Sequence, residues 1–327
     1  MVVVSAFAVL ILLAPGSLVG SGPSTPRGAG ESLQSSALVL PTTIQHVIVI
    51  FMENANASWV YQNGSYQRYL ANHYANASQF YSIEHSSERD YFAATSGTDP
   101  NSLKERNTTN LADTVRAAGE NWAVFAQSMP VPCDTAAKRP TFHAPSYAYD
   151  SSHNPFVWYW DVYSNRSLCV ANDVSFSALN SDLARGVLPN YSLVIPDDWN
   201  DSHTLCPWAK PWTTLVDCGD SFLRSWLPSI LNDSTAPWYR STAVILTYDE
   251  ANNSDTRGIH DTVGGGKIYT VVAGACANLG HKSNKPYSTY SLLTTTEWLL
   301  GLGSTGHHDS WSINPPMKDL FNPACDT

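Results

Sequence analysis

Two short apolar runs end in acids, and that pairing limits what the chain can fold into. HVIVIFM (His46–Met52) leads directly into Glu53 and Asn54, and TAVILTY (Thr242–Tyr248) leads directly into Asp249 and Glu250. Continuous runs this short, rich in β-branched residues, read as strands buried on both faces. IYTVVAG at 268–274 and YSLVI (Tyr191–Ile195), closed by Pro196, have the same character. Helical patterns fall between them at 110–118, 175–184, 220–231 and Thr289–Leu300. The last opens on Ser288 or Thr289 as a cap and stops at Gly301. Strands alternating with helices predict an α/β fold with a central, largely parallel sheet and helices on both faces. The irregular, aromatic stretch between Cys133 and Cys169 is expected to pack as a long loop over one end of that sheet.

In open parallel sheets, ligands bind beyond the carboxyl ends of the strands. If the two acid-ended strands are neighbours, Glu53, Asp249, Glu250 and the Asn54 amide converge there. Three carboxylates that close repel unless a cation lies among them, and a hard divalent ion suits oxygen ligands. As isolated features the same acids read as strand-end caps facing water. Residues 84–97 (EHSSERDYFAATSG) add hydroxyls at Ser86 and Ser87 beside His85, the makings of a nucleophile and its helper. Residues 195–203 (IPDDWNDSH) add Asp201 and His203, a spacing that binds metal or orients a general acid and also suits a solvated turn.

Composition narrows the compartment and the partners. The 327 residues carry 28 acidic and 18 basic side chains, and a net charge of −10 excludes a dedicated nucleic-acid binder. The apolar run at 2–15 is short of the ~20 residues of a membrane span. Residues 1–22 therefore read as a signal peptide, or as an uncleaved N-terminal anchor, although no Lys or Arg precedes Arg27. Residues 23–42, rich in Gly, Ser and Pro, read as a flexible linker, leaving 43–327 as the catalytic domain. Asn-x-Ser/Thr sequons begin at Asn56, Asn63, Asn76, Asn107, Asn165, Asn190, Asn200, Asn232 and Asn252, each a potential surface glycan. Six cysteines suit three disulfides in an oxidising compartment. The preferred pairing, one among several connectivities, is Cys133/Cys169, Cys206/Cys218 and Cys276/Cys325. Secretion, or the extracellular face of the cell surface, is the expected location. Nothing in the sequence sets the oligomeric state.

Eight motifs in order carry a resemblance. They are Met52-Glu53-Asn54; His85-Ser86-Ser87-Glu88-Arg89-Asp90-Tyr91 with Thr95-Ser96-Gly97; Ala118-Gly119-Glu120-Asn121-Trp122; and His153-Asn154-Pro155-Phe156. Leu188-Pro189-Asn190-Tyr191, then Asn200-Asp201-x-His203, then Asp249-Glu250 follow, and Tyr290 through Glu297 with Gly301-Leu302 closes the series. From about His46 to Gly303 the chain resembles the phosphoesterase family of secreted acid phosphatases and phospholipases C, within the alkaline-phosphatase-like superfamily.

The resemblance implies that superfamily's sheet and a divalent metal held at Glu53, Asn54, Asp249 and Glu250. Mg, Ca or Mn suits the oxygen ligands, and a histidine ligand admits Zn or Fe. It implies Ser87 as the nucleophile that forms a phosphoserine. His85 and His203, with Asp201 behind the latter, would bind phosphate or protonate the leaving oxygen. Activity favouring acidic pH follows if those imidazoles must be protonated. His153, Arg89, Asp90 and His260 are further positions that could face a small phosphate-ester substrate. The chain departs from the family pattern at Asp90, where Asn is usual, and at Ser86 and Arg89, where prolines are usual. Lys267 and Thr289 stand where histidines are frequent. The Gly264–Gly266 turn is either a phosphate cradle or a plain flexible loop. A phosphomonoesterase is the first expectation. A phosphodiesterase or phospholipase of lipid headgroups, or a lapsed glycosylated ligand-binding member, are the alternatives.

Overall fold

The computed structural model describes residues 43–99, 106–136 and 148–325, so the expected signal segment at 1–22 and linker at 23–42 lie outside the described residues. Eight strands form one sheet: β1 (His46–Met52), β2 (Ala75–Tyr81), β3 (Trp122–Ala126), β4 (Asp173–Ser175), β5 (Tyr191–Ile195), β6 (Thr242–Tyr248), β7 (Thr270–Ala273) and β8 (Lys282–Ser288). Their order is β4-β3-β5-β1-β6-β7-β2-β8. Among the described strands only β7 runs against its neighbours β6 and β2, and the other pairings are parallel.

The apolar runs take the centre because only there are both faces of a strand covered. β5, β6 and β7 are buried throughout, as is β1 beyond His46. The polar strands were not legible as strands. β8 (KSNKPYS) lies at the sheet edge, where Pro286 breaks no central ladder. β2 (ANASQFY) pairs with it and lacks any apolar run.

Helices flank the sheet as two separately packed groups. The Ser87–Ser96 helix lies against the Thr289–Leu300 helix, and the Ser65–His73 helix lies against the Leu215–Trp226 helix. The 289–300 expectation holds to the residue, but the helix expected at 220–231 is two. It begins at Leu215 behind a capping box, in which Thr214 and Asp217 each accept the other's backbone N–H, and it ends at Trp226. Pro228, which has no N–H to donate, opens a separate turn at Pro228–Leu231.

The three disulfides are Cys133–Cys169, Cys206–Cys218 and Cys276–Cys325, the preferred pairing, with Cα separations of 5.6, 5.9 and 5.8 Å. Between the first pair, the described residues form short helical pieces at Ser151–His153, Pro155–Val157 and Trp160–Ser164, and Cys169 itself lies within the Arg166–Asn172 helix. Two sequons do not reach solvent, which corrects the expectation of surface sites. Asn76 is buried with its amide oxygen taking the Tyr61 hydroxyl, and Asn200 is buried with its amide nitrogen on Asp197. No helix of the described residues is long and apolar enough to cross a membrane.

Candidate active site

The register of β1 on β6 builds the site. Met52 lies opposite Tyr248, so the next residues, Glu53 and Asp249, leave the sheet side by side. Asp249 N–H donates to Met52 O at 2.9 Å, and Asn54 N–H donates back to Asp249 Oδ1 at 2.9 Å. Asn54 turns in the left-handed region (φ 54°), which Asn tolerates better than most residues, and its amide nitrogen donates to Glu53 Oε2. β5, on the other side of β1, sends in Asp201, whose carbonyl accepts the Glu53 N–H.

Ser87 meets this cluster as the first residue of its helix. Its Oγ lies 3.1 Å from Glu53 Oε2 and 3.3 Å from Glu250 Oε1. Tyr91, one turn later on the same face, donates its hydroxyl to Glu53 Oε1 at 2.8 Å. His85 Nδ1 lies 2.7 Å from the other Glu250 oxygen, and its Nε2 meets Asp255 O at 3.0 Å. The carbonyl only accepts, so Nε2 donates to it and Nδ1 is turned to Glu250.

His153 belongs to the site. It is 3% exposed, stacks on Tyr91, and places Nε2 3.6 Å from Glu53 Oε1 and Nδ1 3.6 Å from Asp201 Oδ2. The Asp201 carboxylate therefore faces the His153 ring. Toward His203 it accepts the backbone N–H at 2.7 Å, while the His203 ring lies 3.2 Å from Thr204 Oγ1. This corrects the expectation of Asp201 standing behind the His203 imidazole.

Three further expectations change. The Arg89 guanidinium is committed to Glu84 and Asp99, which removes it as a phosphate contact. Asp90 is fully buried, with Ile83 N–H and the Thr289 hydroxyl on its Oδ1, and lines no substrate surface. His260 sits on the 257–263 loop with φ 55° and forms no hydrogen bond to the carboxylate cluster. The glycine turn is neither cradle nor loose loop. Gly264, Gly265 and Gly266 donate their N–H groups to Thr256, Ser82 and Arg257 carbonyls, leaving none for a ligand. A Cβ on Gly265 would overlap the Glu84 carbonyl, so glycine is needed there for close approach.

The electrostatics are those of crowded, dry acids. Burial, then the charges of Asp249 and Asp201, holds the Glu53 carboxyl well above its usual range. Burial, then Asp198, does the same to Asp201, and burial raises Asp249. Glu250 is pushed up to about 7 by burial and then Asp249, with His85 opposing. Oδ2 of Asp249 and Oδ2 of Asp201 are buried with no hydrogen-bond donor. Glu53, His153 and His203 offer ligand atoms all within 4.8 Å of one another, as do Asp150, His153 and Asp198. Clustered acids with orphaned oxygens, beside imidazoles at ligating separation, fit a divalent metal. Tyr91, Asp198, Asp150 and Asp255 were not singled out from the sequence. Tyr91 and Asp198 stand inside segments already marked for chemistry, whereas Asp255 acts through its carbonyl, which no side-chain pattern reveals.

The sheet with acids at its carboxyl edge is similar in fold to solved structures of the alkaline phosphatase superfamily. A superfamily member from Vibrio parahaemolyticus superposes with a TM-score of 0.56 at 12% identity, over 83% of this chain and 73% of its own. Murine ectonucleotide pyrophosphatase/phosphodiesterase 5 gives 0.52 at 12% identity, over 85% of this chain and 100% of its own. Within that fold the assignment is narrower: the phosphoesterase family model matches residues 51–303, and the chain belongs to the phosphoesterase family. It is 26% identical over 249 residues to an acid phosphatase of Aspergillus fumigatus, covering 74% of this chain and 52% of the relative. It is 27% identical over 304 residues to a phosphatidylinositol-3-phosphatase of Mycobacterium tuberculosis, covering 90% of this chain and 88% of the relative. The chain thus spans about half the length of the Aspergillus acid phosphatases it matches.

Proposed function

We propose that the chain is a metal-dependent phosphoesterase that hydrolyses phosphate monoesters through a phosphoserine on Ser87. The observation that carries this reading is the place of Ser87 Oγ, at a helix N-terminus and within 3.1 and 3.3 Å of the Glu53 and Glu250 carboxylates. Backbone N–H groups of a first helical turn favour a phosphate, and a neighbouring carboxylate takes the hydroxyl proton. The Ser87 oxygen forms a bond to phosphorus as the ester oxygen departs. His203, at the rim of the cluster, gives that oxygen a proton. Water then attacks the phosphoserine, releasing inorganic phosphate and restoring the hydroxyl. His85 orients Glu250, and Tyr91 and His153 hold Glu53. Glu53, Asn54, Asp249 and Glu250, with His153, would hold the cation, leaving the His203 ring for the proton. A divalent metal supplies Lewis acidity and offsets negative charge on the transferring group.

Three disulfides support an oxidising, extracytoplasmic location. A phosphate monoester borne on a lipid headgroup is a second reading, favoured by the similarity over most of the length of the mycobacterial phosphatidylinositol-3-phosphatase. The test is hydrolysis of an aryl phosphate and its diester between pH 4 and 8, with and without chelator, beside Ser87→Ala. Monoester turnover that falls about a thousandfold or more in the variant is expected. Wild-type rates from Ser87→Ala would remove the nucleophile. No turnover despite bound metal would turn the reading toward a ligand-binding protein.

A further inference from the structure

A cleft of about 510 Å³ lies between the Pro155–Val157 turn and the Trp160–Ser164 helix on one side and Arg106 on the other, and none of the chemistry above uses it. Arg106, Asn107, Val157, Trp158, Trp160 and Tyr163 line it. Arg106 is 3% exposed, yet its Nε and Nη1 have no hydrogen-bond acceptor. Its guanidinium carbon sits 3.9 Å from the Phe92 ring centroid and 5.7 Å from that of Trp158. Stacking satisfies the face of the guanidinium plane and leaves the donors around its edge, which match an oxyanion lying in that plane. Burial lowers its pKa to about 10, so the group stays charged at neutral pH, with Glu88 the acidic side chain acting on it.

The outer wall has the opposite character. Trp160 and Tyr163 are 61% and 48% exposed, flat rings turned to solvent beside a buried cation. A ligand that uses both features carries an anionic group on a ring whose C–H face can lie on the aromatics. The cleft is tied to the candidate site through the chain: Val157 and Trp158 follow His153 along one segment, and Arg106 stacks on Phe92, which follows Tyr91 on the helix that begins at Ser87.

We propose that this cleft is a second ligand subsite that takes a phosphorylated sugar or cyclitol ring, its phosphate on the edge of Arg106 and its ring against Trp158, Trp160 and Tyr163. The subsite deepens the phosphoesterase reading by naming a substrate class, and it rests on that reading for its biological sense, although binding itself needs no turnover.

The experiment is titration calorimetry of the full chain carrying Ser87→Ala, produced without N-glycosylation so that no glycan on Asn107 competes, with myo-inositol 1-phosphate as probe. Two binding events are expected. Trp160→Ala, and separately Arg106→Met, should weaken one of them by about tenfold or more and spare the other. Trp160 is exposed, so its variant reports even where Arg106→Met does not fold. A single event untouched by Trp160→Ala would overturn the subsite. So would inorganic phosphate that binds the cleft as tightly as the ring phosphate, because the aromatics would then contribute nothing. Two events with the expected losses, in a protein whose Ser87 parent shows no ester turnover, would support the cleft while removing the phosphoesterase reading.

Discussion

The hydroxyl of Thr289 donates to Oδ1 of Asp90 across 3.0 Å. These are two of the positions at which the chain departs from its family pattern, and they meet although nearly two hundred residues separate them. Ile83 N–H reaches the same Oδ1 at 3.1 Å, and Asp90 Oδ2 has no donor. Burial, then the charge of Asp249, holds this carboxyl well above the usual range. A protonated Asp90 has nearly the outline of the Asn it replaces and presents no charge to a phosphate.

Asp90→Asn should therefore stabilise the metal-free protein at neutral pH. An acid whose pKa is raised in the folded state favours folding below its unfolded pKa of ~3.9, and that contribution is lost as pH rises toward the folded value. The gain should be largest near pH 7 and vanish below about pH 4, at roughly 2–4 °C for each kcal/mol recovered. Thermal melts with chelator across that range measure it. Equal melting temperatures at pH 7 would contradict the buried-acid account.

Divalent cations should raise the melting temperature at pH 7. A ligand at a hundred times its dissociation constant adds ~2.7 kcal/mol. Glu53→Gln should remove most of that increment and, in chelator, melt higher than the parent, because one of the crowded acids is gone. Thermal shifts with Mg, Ca, Mn and Zn check both signs.

Histidines separate cleanly by position. His153→Asn should lower kcat about a hundredfold, because the ring lies between Glu53 and Asp201. His260→Ala should leave kcat and KM within about twofold, and Arg89→Gln should leave KM similarly unchanged, since Glu84 and Asp99 already hold that guanidinium. Steady-state kinetics on an aryl phosphate distinguish the three.

Gly265→Ala should destabilise by about 3 kcal/mol or more, because its new methyl group meets the Glu84 carbonyl rather than a movable side chain. Gly303→Ala, which meets nothing within 4 Å, is the control and should stay within about 0.5 kcal/mol. Denaturant unfolding of both variants compares them.

The central strands were legible because burial on both faces leaves an unbroken apolar run, as in Thr242–Tyr248. β8 was not, since an edge strand needs no such run and accepts Pro286. The acids at 53, 249 and 250 could be placed from sequence, because a strand end carries its next residue to the sheet edge whatever the details. Side-chain direction was not legible. Which imidazole Asp201 faces depends on a turn in which Ser202 adopts φ 85°, and whether Arg89 is free depends on Glu84 and Asp99 arriving from either side.

The reversal of β7 bears on how such a protein can diversify. Because β7 runs back alongside β6, the segment joining them begins and ends at the same edge of the sheet, the edge that carries Asp249 and Glu250. A parallel successor would have required a crossover to the far edge. Residues 251–269 are thus a hairpin excursion over the rim of the candidate site, tied to it where His85 Nε2 meets Asp255 O. Insertions there would alter what the rim admits while leaving the strand order intact, so selection can work on specificity at this one excursion without rebuilding the scaffold.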